Sequence, residues 1–63
     1  MPVKVAYTKR GMLDTVEVRF TPGMVLPKQG DRIVSPFDPD RVTTVLEVFS
    51  DTPRDRFQVF IAD

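Results

Sequence analysis

The sequence contains no histidine, no cysteine and no tryptophan. Without cysteine there is no disulfide, and without cysteine or histidine a structural zinc site lacks its usual ligands. Catalysis at neutral pH most often uses histidine as acid or base, or serine or cysteine as a nucleophile beside a base. Ser35 and Ser50 have no lysine or tyrosine near them in the sequence. The composition therefore predicts a binding protein, not an enzyme, with no cofactor and no metal centre.

Long hydrophobic runs are also absent. No apolar stretch approaches the roughly 20 residues of a membrane-spanning helix, and the N-terminus has no hydrophobic segment typical of a secretory signal. We therefore expect no membrane partner. Because the chain lacks cysteine, a reducing, cytoplasmic location is the default expectation.

The chain has no excess charge of either sign, since nine Lys and Arg balance nine Asp and Glu. It therefore lacks the long-range field that draws basic domains to nucleic acid. The distribution is uneven: residues 1–35 have six cations against three anions, or +3, and residues 36–63 have three against six, or −3. Either the two halves attract each other within one domain or the basic half meets a partner.

A chain of 63 residues accommodates one domain, residues 1–63, with a thin core. Hydrophobic residues at 41% and charged residues at 29% are close to the averages of globular domains, so the chain should fold. Without disulfides, its stability must come from packing or from self-association.

Alternating apolar and polar residues predict two strands, over residues 3–8 and 13–20. A tight turn centred on residues 10–11 sets the register of this first hairpin. The predicted cross-strand pairs are Val5 with Val16, Val3 with Val18, and Lys4 with Glu17.

Proline and glycine interrupt the middle of the chain. Residues 21–23 (Thr-Pro-Gly) predict a type II turn, and residues 21–31 a long loop whose apolar middle folds inward. Residues 32–35 are predicted to form a short strand. In residues 36–41, Asp38 before a proline resembles a helix N-cap, so at most one short helical turn is expected, and these residues are its predicted place. The carboxylates of Asp38 and Asp40 also suggest a calcium site, but capping or turn formation by aspartate is favoured.

The last third of the chain predicts a second hairpin, with strands over residues 41–49 and 56–62 joined by residues 50–55. The expected core-facing pairs are Val48 with Phe57, Leu46 with Val59, and Thr44 with Ile61. The reverse face would then carry Val45, Phe49 and Phe60. Such an apolar patch is typical of a contact surface or a homodimer interface. Alternatively, Phe37 and residues 24–26 fold over it.

These elements predict an all-β fold: a single five-stranded antiparallel barrel or strongly bent sheet. The order of elements resembles the SH3-like barrel, and residues 27–34 (PKQGDRIV) look like the Pro-x-x-Gly-Asp-x-Val segment that opens a strand in many small barrels. Signalling members of that class bind proline-rich ligands through a groove containing tryptophan. This chain has no tryptophan, so that specificity is not expected.

Two functional hypotheses follow. The first is a protein-interaction module, such as a small bacterial or phage adaptor, inhibitor or assembly factor, with Val45, Phe49, Phe60 and Phe37 as partner-binding residues. The second is a nucleic-acid-binding barrel, since small barrels bind single strands with basic and aromatic side chains. Its candidate residues lie on the first hairpin: Lys4, Lys9, Arg10 and Arg19.

Overall fold

Segments rich in valine, threonine and aromatic residues form the strands of this protein, as β propensity favours. A computed structural model describes residues 4–62. The described residues form five strands and one short 3₁₀ turn. The strands are β1 (Lys4–Lys9), β2 (Thr15–Arg19), β3 (Arg32–Val34), β4 (Val42–Asp51) and β5 (Arg56–Ile61), and the turn spans Thr52–Arg54.

The strands form one curled sheet, a half-barrel, in the order β2-β1-β5-β4-β3. This confirms the prediction of an all-β, strongly bent sheet. The prediction that all neighbours run antiparallel is wrong, because β1 and β5 pair in parallel. A local hairpin can only be antiparallel, whereas β1 and β5 come from opposite ends of the chain and meet through tertiary packing.

The first hairpin has the predicted strands but a different register. Val5 lies opposite Val18, and Lys4 opposite Arg19 and not Glu17. The connection is longer than a two-residue turn, with β1 ending at Lys9 and β2 starting at Thr15. A shift of two residues leaves every side chain on its predicted face. Val3, which was expected to pair with Val18, lies outside the described residues.

The terminal hairpin is also shifted. Asp51 lies opposite Arg56, and the connection is the 3₁₀ turn followed by Asp55 in the left-handed conformation (φ 52°). The helical turn therefore occurs here and not in residues 36–41. The three predicted core pairs are wrong; Val48, for example, lies opposite Val59.

A β-bulge in β4 changes which face its first half presents. The register is interrupted between Val45 and Glu47, so Leu46 is the additional residue. Val45 consequently lies opposite Ile61 and faces the core. The prediction that Val45 belongs to the reverse face is wrong, because uninterrupted alternation was assumed where an extra residue inverts it.

The core fills the concave face of the curled sheet. Four side chains are 0–1% exposed and form its centre: Val5, Val45, Val59 and Ile61. Partly buried hydrophobic residues surround them, among them Met24 and Leu26 from the long loop. This confirms the predicted inward fold of the loop for Met24 and Leu26, whereas Val25 between them is 86% exposed because alternate residues of an extended segment point to opposite sides. The turn at its start is confirmed as well, since Met24 N donates to Thr21 O (3.0 Å) and Gly23 has a φ of 87°.

Asp38 organises the loop between β3 and β4 without a helix. Its carboxylate oxygen Oδ1 accepts a hydrogen bond from the Asp40 N–H (3.0 Å), and its carbonyl accepts one from the Arg41 N–H (3.1 Å). The aspartate therefore stabilises a turn, as the sequence favoured over a calcium site.

A hydrogen-bonded network covers part of the convex face. Gln58 is only 5% exposed, and its side-chain amide donates to the Thr8 hydroxyl (2.8 Å) and to the Ala6 carbonyl (3.2 Å). Its Oε1 accepts from Arg56 (3.2 Å), which also bonds to Glu17 (2.9 Å). The network therefore links β5 to β1 and β2 on the side opposite the core.

The bulged register of β4 predicts how two substitutions change the free energy of unfolding. Val45→Ala should lower the free energy of unfolding by about 2 kcal/mol, because it removes buried methyl groups and leaves a cavity. Val42→Ala, the same change three residues earlier in β4, should stay within about 0.5 kcal/mol, because Val42 is 58% exposed. Denaturant titration measures both. Equal losses would contradict the bulged register.

The network makes a second prediction. Gln58→Leu should destabilise the protein by about 1–3 kcal/mol, since it removes bonds from a buried amide and leaves their partners unpaired. Gln29→Leu, at an exposed position, is the matched control and should be nearly neutral. Thermal unfolding of the two variants tests this. A neutral Gln58→Leu variant would show that water replaces the network.

Candidate functional site

The half-barrel is open between its two edge strands, β2 and β3. A cavity of about 670 Å³ lies in this gap, which we call the open seam. Its volume is within the range of sites that bind ligands. Residues from β1, β2, β3 and the long loop line it, and most of them are apolar. The apolar residues that line it from the concave side include Tyr7, Val18, Met24, Leu26 and Ile33. Val34 borders it from the convex face, where its side chain is 60% exposed.

The edge of β3 offers unpaired backbone groups to the seam. Asp31 and Ser35, which flank the strand, both hydrogen-bond through their backbones to residues of the β4 side (2.8 Å each). Because alternate residues of an antiparallel pair point their N–H and C=O groups in opposite directions, Ile33 also points toward β4. The backbone groups of Arg32 and Val34 therefore point away from β4, toward the open edge.

The edge of β2 also directs backbone groups to the seam, from the opposite side. The Arg10 N–H, immediately after β1, donates to the Ile61 carbonyl at the end of β5 (3.0 Å). The direction of the backbone N–H and C=O groups alternates along a strand, so those of the even-numbered residues of β1 point to β5 and those of the odd-numbered residues point to β2. The odd-numbered residues of β1 lie opposite the even-numbered residues of β2. This leaves the backbone groups of Glu17 and Arg19 directed to the free edge.

Two of the predicted nucleic-acid-binding residues meet beside the seam. Lys4 and Arg19 lie directly opposite each other on the convex face, and both are exposed. Arg32, on the edge of β3, lines the same cavity as Arg19. Within residues 4–62, none of these three cations forms an ion pair.

The other two predicted cationic residues lie at the opposite end of β1. Five residues of extended strand separate Lys9 from Lys4, a distance of roughly 17 Å. The Lys9 ammonium lies 4.9 Å from the centroid of the Phe37 ring, a cation–π contact. Arg10 is exposed and lines a separate cavity with Phe60. The structure therefore does not assemble the four cations into one basic surface.

The predicted apolar patch is reduced to two residues. Phe49 and Phe60 lie together on the convex face, with ring centroids 5.9 Å apart, and Phe49 is 42% exposed. Val45 is 1% exposed because of the bulge, and Phe37 packs against the core on the concave face. Phe37 and residues 24–26 therefore do not cover the Phe49–Phe60 pair.

The seam is not visible in the sequence. The sequence pattern indicates β3 and the apolar loop, but nothing in it marks Arg32, Val34 or Leu26 as binding residues. The period-two pattern of β3 indicates a strand without showing whether it is central or at an edge. The only available signal was the shortness of this strand together with its charged first residue, which is typical of edges.

Other polar groups have structural roles. The Ser35 hydroxyl is buried and accepts a hydrogen bond from the Phe37 N–H (3.2 Å). Burial raises the pKa of the Tyr7 phenol above its usual value, so the ring lining the seam is neutral at physiological pH. In the described part of the chain, no cluster of three or more acidic residues is placed to hold a metal ion. No helix within residues 4–62 is long and apolar enough to cross a membrane.

Comparisons of the chain with protein-family models, with curated proteins and with solved structures found no match. Function is therefore inferred from the geometry and the charge of the open seam.

Proposed function

We propose that this chain is a non-enzymatic protein-interaction module that binds an extended polypeptide segment in the open seam. The observation that carries the proposal is the pair of edge strands that face one cavity, each with backbone groups directed to the gap. An extended peptide that joins a sheet edge makes main-chain hydrogen bonds there, and alternate side chains enter pockets.

The strand directions fit an inserted segment. β3 and β5 each pair antiparallel with β4, so β3 and β5 run the same way; β5 is parallel to β1, and β2 is antiparallel to β1. Consequently β2 and β3 run in opposite directions. A segment placed between them would be antiparallel to one and parallel to the other, and would extend the sheet toward a closed barrel. Half of its side chains would enter the cavity and bury apolar surface.

Both edge strands have features that oppose pairing with another edge strand. Long, flat, hydrophobic edges promote aggregation, and natural proteins counter this with short strands and charges. β3 has only three residues, and β2 has charged residues at its outward positions, Glu17 and Arg19. Such edges discourage indiscriminate pairing but still accept a segment whose side chains match.

The Phe49–Phe60 pair supplies a second, smaller contact in this proposal. It lies on the convex face beside the cavity that Arg10 lines. A partner that continues past the seam, or a second copy of the chain, would cover these rings. An adaptor, inhibitor or assembly-factor role of bacterial or phage type remains our proposal for the module.

The assignment to the SH3-like class and the cytoplasmic location are also proposals. An SH3-like assignment is supported by the small, curled, five-stranded sheet and by residues 27–34, where Gly30 takes a positive φ at the turn before β3. The parallel β1–β5 pair departs from the antiparallel arrangement that we expected. A cytoplasmic setting is supported by the lack of cysteine.

Val34→Pro tests the proposal. Peptides selected from a random phage-displayed library on the wild-type protein should bind this variant at least about tenfold more weakly, because proline removes an edge N–H donor and its ring blocks the approach of a strand. The fold should persist, since that N–H is directed away from β4. Isothermal titration calorimetry measures the affinities.

Val34→Ala is the matched control. It shortens the same side chain but keeps the N–H, so its affinity should stay within about threefold of the wild type. Circular dichroism verifies that both variants are folded. The proposal is wrong if the library yields no binder, or if folded Val34→Pro binds the selected peptides as tightly as the wild type.

A further inference from the structure

We infer that the segment bound by the open seam alternates apolar and acidic residues. This inference rests on the proposed function and adds the chemistry of the partner. It is carried by the contrast between the two sides of the seam: an apolar cavity on the concave side, and on the convex side cations that form no ion pair with any residue from 4 to 62.

From this contrast, the geometry of an extended strand predicts the sequence pattern of the bound segment. Successive side chains of an extended segment point to opposite faces of the sheet. Those directed inward would meet the apolar lining, to which Leu26 and Ile33 contribute. Those directed outward would lie between Arg19 on β2 and Arg32 on β3. The segment that fits therefore has apolar residues at every second position and anionic residues between them.

The convex side beside the seam has unbalanced positive charge. Lys4 lies directly opposite Arg19 on β2, and neither side chain forms an ion pair within residues 4–62. Like charges placed directly opposite across strands destabilise a sheet. An anionic group at the seam would offset this repulsion.

The acidic residues nearby already have partners. Glu17 bonds to Arg56 (2.9 Å), whose Nε also lies 3.4 Å from Asp51. Asp31 accepts a hydrogen bond from the backbone N–H of Lys28 (2.8 Å). Ion pairs thus neutralise Arg56, whereas Lys4, Arg19 and Arg32 form none within residues 4–62. Asp31 is the one acidic residue of the described chain that lines the cavity, so the three cations outnumber the anions beside the seam.

A peptide fits this surface better than a single-stranded nucleic acid. Proteins that bind single strands usually stack the bases on aromatic side chains beside the basic groove. The aromatic residues near the seam, Tyr7 and Phe20, pack against the core. The exposed ring of Phe49 is on β4, with β3 between it and the seam on one side and β5, β1 and β2 on the other.

Three synthetic peptides test the inference. Each is nine residues long and alternates valine with glutamate, glutamine or lysine, and fluorescence anisotropy measures its binding to the full chain. We expect the glutamate peptide to bind about fivefold more tightly than the glutamine peptide, because several exposed ion pairs each contribute modestly. The lysine peptide should bind more weakly than both. Added salt should reduce the preference for glutamate.

Charge variants locate the effect. The double variant Arg19→Gln with Arg32→Gln should bind the glutamate and glutamine peptides equally. The matched double variant Arg10→Gln with Arg54→Gln removes the same charge away from the seam and should keep the preference. Loss of the preference in both double variants would point to net charge alone and overturn the inference.

The outcomes separate the inference from the proposed function. If the glutamate and glutamine peptides bind the wild type equally and Val34→Pro weakens both, the seam binds strands but the acidic pattern is wrong. If none of the three peptides binds but library-selected peptides bind the wild type more tightly than Val34→Pro, the acidic pattern is wrong and the proposed function stands. A single-stranded oligothymidine that displaces the glutamate peptide at lower concentration than the peptide itself would overturn the inference in favour of nucleic acid.

Discussion

The parallel pairing of β1 with β5 is the interaction on which the rest of this structure depends. It joins the two ends of the chain and places Val5, Val59 and Ile61 together at the centre of the core. On the opposite face, the Gln58 amide bonds to β1 and ties the same two strands. Without this pair, the hairpin β1–β2 and the meander β3–β4–β5 would each have one apolar face uncovered. An isolated two-stranded hairpin is at best marginally stable in water, so β1–β2 depends on its association with the meander, and this association completes the core.

The same pairing determines which strands form the edges of the sheet. Once β1 and β5 occupy the centre of the sheet, β2 and β3 are necessarily its edges. The curl of the sheet brings those edges to either side of one cavity, and the long loop lines it with Met24 and Leu26. The apolar interior and the external cations Arg19 and Arg32 thus become two sides of one gap. The proposed binding of an extended segment is a consequence of a sheet that curls without closing.

The bulge in β4 shows how one residue redistributes apolar surface between core and exterior. It turns Val45 inward to Ile61 and leaves Phe49 and Phe60 outside. A thin core gains a fully buried valine in this way, and the convex face loses part of an apolar patch that would favour aggregation. The bulge also bends the sheet locally, which is consistent with its strong curl.

Local patterns in the sequence determined the strand segments, the turn at residues 21–23, the inward loop and the face of most side chains, because these depend on neighbours along the chain. An even register shift preserved the faces of the first hairpin even though Lys4 met Arg19 and not Glu17. Only the tertiary structure decided the parallel β1–β5 pair, the bulge at Leu46 and the identity of the edge strands. Each of these depends on contacts between residues far apart in sequence. The alternation of apolar and polar residues along a strand is the same whether that strand is central, bulged or at an edge.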